Sequence, residues 1–118
     1  PDHQCPRAKI IIICHNFVLY LKLMPIGLLT LTLQIPACRS LKEKRGRLKP
    51  LLARLHREFN LSAAEMGAND RWDEAILACA LVSSDAAHAQ SALQNVSRWV
   101  EHNWPDVLVV EQHIETLV

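Results

Sequence analysis

Apolar and polar positions alternate strictly from residue 26 to residue 35. Gly27, Leu29, Leu31, Leu33 and Ile35 share one parity, while Thr30, Thr32 and Gln34 hold the other. A period of two is that of a strand with one buried face, and Pro36 ends it. The period then changes. Leu41, Leu48, Leu52, Leu55 and Phe59 fall on one stripe of a helix over residues 40–59, with Leu51 on its edge. Ser40, followed three residues later by Glu43, forms a capping box at its start. Pro50 conflicts with this helix, because it lacks an amide donor and its ring meets the carbonyl of Gly46. A kink, or a tilt of the first turns, is expected there. Asn60 is the expected C-terminal cap.

A short strand follows over 61–66, then turn residues over 67–70. Residues 75–82 form a second strong strand pattern. Asp85 caps a second helix reaching Asn103, in which Ala89, Leu93, Val96 and Val100 recur at helical spacing. Pro105 stops that helix, and residues 107–114 make the last strand. The order strand, helix, strand, strand, helix, strand contains two crossover units. It predicts an α+β, ferredoxin-like sandwich: a four-stranded antiparallel sheet with both helices on one face.

Residues 1–23 do not share this patterning. The chain begins with Pro, and Met24 stands directly before the first strand. Residues 1–23 are therefore expected to be a non-native or disordered extension, with an added edge strand as the second reading, and one domain over 24–118. The apolar runs in the extension are interrupted by His15, Asn16 and Lys22, which argues against a membrane span. His3, Cys5, Cys14 and His15 match no zinc-module spacing. The four cysteines contain no C-x-x-C pair and are expected to be reduced thiols in a cytoplasmic protein.

Charge changes the picture more than composition does. Residues 39–57 hold eight Lys or Arg and one acid, Glu43, whereas residues 58–118 hold two basic residues and ten acids. The net charge of +1 hides this division. A concentrated cation run points to a polyanionic partner. Arg39, Lys42, Lys44, Arg45, Arg47 and Lys49 are the expected RNA contacts, meeting phosphates without base readout. The competing reading is a solvated helix face paired with the acidic remainder.

At this point the chain resembles the YlxP-like family of small bacterial proteins of unknown function. The matching strings are Ile26-Gly27, Ile35-Pro36, Ser40-Leu41-Lys42-Glu43-Lys44-Arg45, Arg54-Leu55, Phe59-Asn60, Ala64-Glu65, Val82-Ser83 and Asp85. The resemblance covers roughly residues 24–117. It implies a compact ferredoxin-like domain with no established catalytic activity. Members are often encoded beside translation and ribosome-maturation factors, so the resemblance also implies an RNA-related role, with ribosomal RNA or the ribosome as partner. Gly46 and Pro50 depart from the family pattern within the first helix.

Enzymatic signatures are absent from the sequence. Ser83, Asp85 and His88 read as a helix start, not a triad. Glu111, His113 and Glu115 share one face of the last strand and read as a solvated or dimer-contacting row. No P-loop, dinucleotide fingerprint or metal motif occurs, so no cofactor is expected. A homodimer through the open sheet face, carrying Thr30, Thr32 and Gln34 with Ile26 and Leu28, is expected, and a protein-interaction or purely structural dimeric module using that face is the alternative role. Trp72 lies in a loop where exposure would mark a partner contact. Packing over the end of the core is the expectation for it, as for Trp99 and Trp104.

Overall fold

The computed structural model describes residues 25–67 and 70–117. The expectations for residues 1–23 fall outside these. The elements are β1 (Ile26–Gln34), α1 (Leu41–Glu58), β2 (Ser62–Glu65), β3 (Glu74–Val82), α2 (Ala86–Asn103) and β4 (Leu108–Leu117). The sheet order is β2-β3-β1-β4, and every neighbouring pair is antiparallel. β1 and β2 are thus parallel and separated by β3, and β3 and β4 are parallel and separated by β1. This is the ferredoxin-like arrangement predicted from the element order.

The register follows from burial. Leu29 faces Cys79, Leu31 faces Leu77 and Leu33 faces Ala75, all on the helix side. These residues are fully buried, together with Leu48, Leu51 and Leu55 from α1 and Leu93, Val96 and Val100 from α2. A one-residue slip would turn the whole set towards solvent, so the hydrophobic pattern itself specifies the pairing. Among the described residues, no element covers the other face of the sheet. That face carries Ile26, Leu28, Ile76, Ala78 and Ala80 at its centre, partly buried, and Glu111, His113 and Glu115 along β4.

Three local features differ from the sequence reading. In α1 the core stripe is Lys44, Leu48, Leu51 and Leu55, with Leu52 on the edge. The helix is rolled so that Leu51, not Leu52, lies at the centre of the contact. β4 also runs on to Leu117, and its pairing with β1 shifts register between Thr32 and Leu33. Thr32 faces Glu111 and Leu33 faces Val109, so Val110 is the extra residue of a bulge. The C-terminal cap of α1 is Phe59, whose N–H donates to the Leu55 carbonyl at 3.0 Å, rather than Asn60.

The first helix is one element across Pro50, and Gly46 has open space where a Cβ would project. Its start combines two side-chain caps. The Glu43 N–H donates to Ser40 Oγ at 3.0 Å, and the Arg39 N–H donates to Glu43 Oε2 at 2.8 Å. The return bond therefore reaches the residue before the cap, one position earlier than in a standard capping box. That Arg39 N–H, then the Cys38 side chain, then Arg47 and Arg39 hold the Glu43 carboxyl below its ordinary range. The loop into α1 turns at Pro36-Ala37, where Ala37 takes a φ of 60° and the Cys38 N–H returns to the Ile35 carbonyl. Pro followed by a left-handed residue is the pattern of a type II turn.

Gly27 fixes how closely α2 approaches the sheet. A Cβ built there would lie 2.8 Å from Leu93 Cδ1 and 3.3 Å from Ala89 Cβ. Leu93 could rotate away, but Ala89 has no rotamer to change. Gly27→Val should therefore destabilise the domain by about 2–3 kcal/mol despite the strand propensity of Val. Chemical denaturation with unchanged m-value is the check; a neutral or stabilising result would mean that α2 is free to shift outward. Burial also pushes the Cys79 thiol up to about 11. At pH 8 its thiolate is scarce, so site mapping by mass spectrometry should find Cys79 alkylated only as fast as the protein unfolds.

Candidate nucleic-acid interface

The six cations expected to meet RNA do not form one surface. Lys42, Arg45 and Lys49 lie at spacings of three and four residues, opposite the Leu48, Leu51 and Leu55 stripe, and are exposed. Arg57, which the sequence reading did not assign, is exposed about two turns further on. Among the described residues, the side chains of Lys42, Arg45, Lys49 and Arg57 form no ion pair or hydrogen bond. Arg39 is exposed at the head of the helix and adds its charge there.

Lys44 is turned inward, contrary to the expectation that it belongs to the phosphate contacts. Its side chain is 2% exposed, and Nζ lies 3.0 Å from Glu65 Oε2 on β2. Nζ also donates to the Arg71 carbonyl at 2.9 Å. One ammonium group thereby joins α1, β2 and the loop between β2 and β3. Burying an unpaired ammonium would be prohibitive, and pairing with a carboxylate and a carbonyl offsets the desolvation. Arg47 is also committed to structure. Nη1 donates to the Pro36 carbonyl and Nη2 to the Asp106 carbonyl, each at 2.7 Å. The planar guanidinium spans the β1–α1 and α2–β4 loops with two parallel donors.

The sequence signal for Lys44 was present but masked by residue type. Lys44 precedes Leu48 by four residues and Leu51 by seven, so it shares their face. A Lys within a basic run is normally solvated, and nothing local identifies Glu65 as its partner.

The remaining cations are paired or packed. Arg54 Nη2 lies 3.4 Å from Glu58 Oε1 and its guanidinium sits over the Trp99 ring at 5.4 Å. Phe59 meets Trp99 edge to face at 5.7 Å, and Trp99 lies 6.2 Å from Trp104. These three rings pack between the helix ends, as expected for Trp99 and Trp104. Trp72 does not follow that expectation. It is 52% exposed in the β2–β3 loop, because the loop's anchors are backbone and charged groups and leave the indole outside the core.

Of the groups considered for catalysis, Ser83 and Asp85 take structural roles. Asp85 Oδ1 accepts from the Ala87 N–H at 3.3 Å and caps α2, while Ser83 Oγ accepts from the Asp85 N–H at 3.2 Å. His113 and Glu115 form an exposed contact of 3.5 Å on the open sheet face. No cluster of three or more His, Cys, Asp or Glu side chains suited to a metal occurs among the described residues. Among them, no helix is long and apolar enough to cross a membrane.

The fold and this surface define a small α+β sandwich whose first helix presents a cationic outer face. The chain belongs to the family described as a protein of unknown function (DUF503), whose model matches residues 26–114. It is also similar to the uncharacterized protein YlxP of Bacillus subtilis (strain 168). The two are 37% identical over 68 residues, which is 58% of this chain and 73% of that protein.

Replacing Lys44 by Met leaves Glu65, 22% exposed, without its cation and frees the Arg71 carbonyl. The expected cost is about 2 kcal/mol, below that of a fully buried pair because water still reaches Glu65. Adding Glu65→Met to Lys44→Met should recover part of that loss. Thermal or urea unfolding of the four-member cycle measures the coupling, and strict additivity of the two changes would contradict the pairing.

Proposed function

We propose that the protein is a non-catalytic RNA-binding module, acting in the cytoplasm on ribosomal RNA or the ribosome. The outer face of α1 docks on the phosphate backbone. One observation carries this reading: among the described residues, Lys42, Arg45, Lys49 and Arg57 stand exposed and unpaired on one helix surface, although the rest of the domain has acids in excess. A solvated face that served only solubility would be expected to draw in some of those acids as partners. Arg39 extends the same charge to the helix head. Lys44 and Arg47 support it indirectly by holding the helix and its loops in place.

Spacing along the face suits a phosphate backbone. Lys42 to Lys49 spans about two helical turns, roughly 10 Å at 1.5 Å per residue. That is enough to engage two or three successive phosphates. Such binding has little sequence preference and depends on salt through counterion release.

The open sheet face supports a second role for the same molecule, self-association. Ile26, Leu28, Ile76, Ala78 and Ala80 form an apolar centre, and Met66, Val82 and Leu108 are exposed large apolar groups on its margins. A two-fold pairing of these faces would place two cationic helices on one particle and raise affinity for a long polyanion.

Charge reversal at Lys42, Arg45 and Lys49 together, each to Glu, tests the docking face, since none of the three contacts the core. Against total ribosomal RNA, the wild-type chain should show log affinity falling linearly with log salt, with a slope of about −2 to −3 for three or four phosphate contacts. The triple variant should lose at least about a hundredfold in affinity while keeping its circular dichroism and unfolding midpoint. Equal binding by both proteins, or binding indifferent to salt, would refute the assignment and favour a protein partner on the sheet face.

A further inference from the structure

We propose that Trp72 is a stacking platform for an unpaired RNA base, placed at the end of the phosphate-docking face of α1. This rests on the RNA reading above and extends it, because it names a base-contacting residue and a single-stranded substrate.

The indole is presented by a loop that is tied down on both sides of it. The Arg71 carbonyl accepts from Lys44 Nζ at 2.9 Å, and the Arg71 guanidinium grips Asp73 with Nε and Nη2 at 3.2 Å each. The Asp73 carbonyl in turn accepts from the Ile35 N–H at 2.7 Å. Trp72 therefore sits between two fixed residues with its ring half in solvent. An aromatic ring on a held backbone offers contact area at low entropic cost, which is the property a binding platform requires. Phe59, Trp99 and Trp104, by contrast, pack against one another or the core.

The position of Trp72 relative to α1 supplies the second part of the argument. Trp72 lines a surface depression with Cys38, Asp70, Arg71 and Asp73. Asp70 also lines the adjacent depression, together with Lys44, Arg45 and Glu65. Asp70 thus lies between Trp72 and Arg45, which belongs to the cationic face. The helix and the loop offer different chemistry to one strand. Lys42, Arg45 and Lys49 suit phosphate. The loop, in which Asp70 is exposed and makes no ion pair or hydrogen bond among the described residues, repels phosphate there but accepts hydrogen bonds from the N–H groups of a base edge. A strand whose backbone follows α1 can therefore turn a base onto Trp72. The interior of a duplex cannot, because both faces of every internal base are already stacked.

The test uses the full chain and two probes, a 20-nucleotide RNA without self-complementarity and the duplex formed with its complement. Affinity is measured for wild type, Trp72→Ala, Trp72→Phe and the Lys42, Arg45 and Lys49 triple Glu variant, with indole fluorescence recorded in parallel. Stacking on one base corresponds to about five- to a hundredfold in affinity. Wild type should prefer the single strand by roughly that factor, with its fluorescence quenched on binding. Trp72→Ala should lose the preference while keeping its duplex affinity and its salt slope, and Trp72→Phe should retain most of it. Single-strand binding by Trp72→Ala equal to wild type, with the triple Glu variant still defective, overturns the stacking role alone. Loss of self-association in Trp72→Ala with RNA binding unchanged overturns it in favour of a protein contact. Absence of RNA binding by wild type at low salt overturns the docking reading and the stacking role together.

Discussion

One buried ammonium group sets the roll of the first helix, and most of the surface follows from it. Lys44 points into the domain with Leu48, Leu51 and Leu55, and its Nζ is shared between the Glu65 carboxylate and the Arg71 carbonyl. An α-helix has only one core-facing side, so fixing Lys44 inward fixes Lys42, Arg45 and Lys49 outward. The same ammonium anchors the loop that carries Trp72. A leucine at this position could satisfy packing, but it would leave Glu65 and the Arg71 carbonyl to solvent and would not tie the loop to the helix. The geometry favours a polar anchor whose direction is specified by its acceptors, Glu65 and the Arg71 carbonyl among them, over an apolar contact that tolerates rotation.

Strand and helix identities were legible wherever a single period dominates. β1 alternates without interruption, and α2 repeats its apolar positions between an Asp cap and a Pro stop, so both appear within a residue or two of their expected bounds. The less legible features depend on partners distant in sequence. Lys44 reads as one more cation in a run until Glu65 is placed beside it. Leu51 and Leu52 are both compatible with the stripe, and the roll set by Lys44 and by packing on the sheet decides between them. The bulge at Val110 has no Gly to announce it. It arises where β4 must satisfy β1 at both ends, with Ile114 and Val109 on the helix side and Glu111, His113 and Glu115 on the other.

The candidate surface was legible in charge and illegible in detail. Counting cations along residues 39–57 locates the basic element, but counting cannot separate groups that bind outward from groups that hold the fold. Arg47 and Lys44 are as basic as their neighbours and are consumed by carbonyls and a carboxylate. Trp72 was hidden for the opposite reason. A loop position specifies neither burial nor exposure, and only the anchoring of Arg71 and Asp73 leaves its ring in solvent.

The two faces of the molecule differ in charge. The α1 side is cationic, whereas β4 presents Glu111 and Glu115 on the open sheet face and along an edge that no other described strand pairs. Charges and a bulge on an edge strand discourage pairing with other strands. In an RNA-binding protein the same acids would also repel phosphate from that edge, so that approach by the α1 side is favoured over the others. The apolar centre of the sheet, lying behind that acidic border, would then remain available for a copy of the chain. The division of charge that the net value of +1 conceals is thus a directional property: cations on the outer face of α1, acids along β4, and an apolar patch on the sheet face beside those acids.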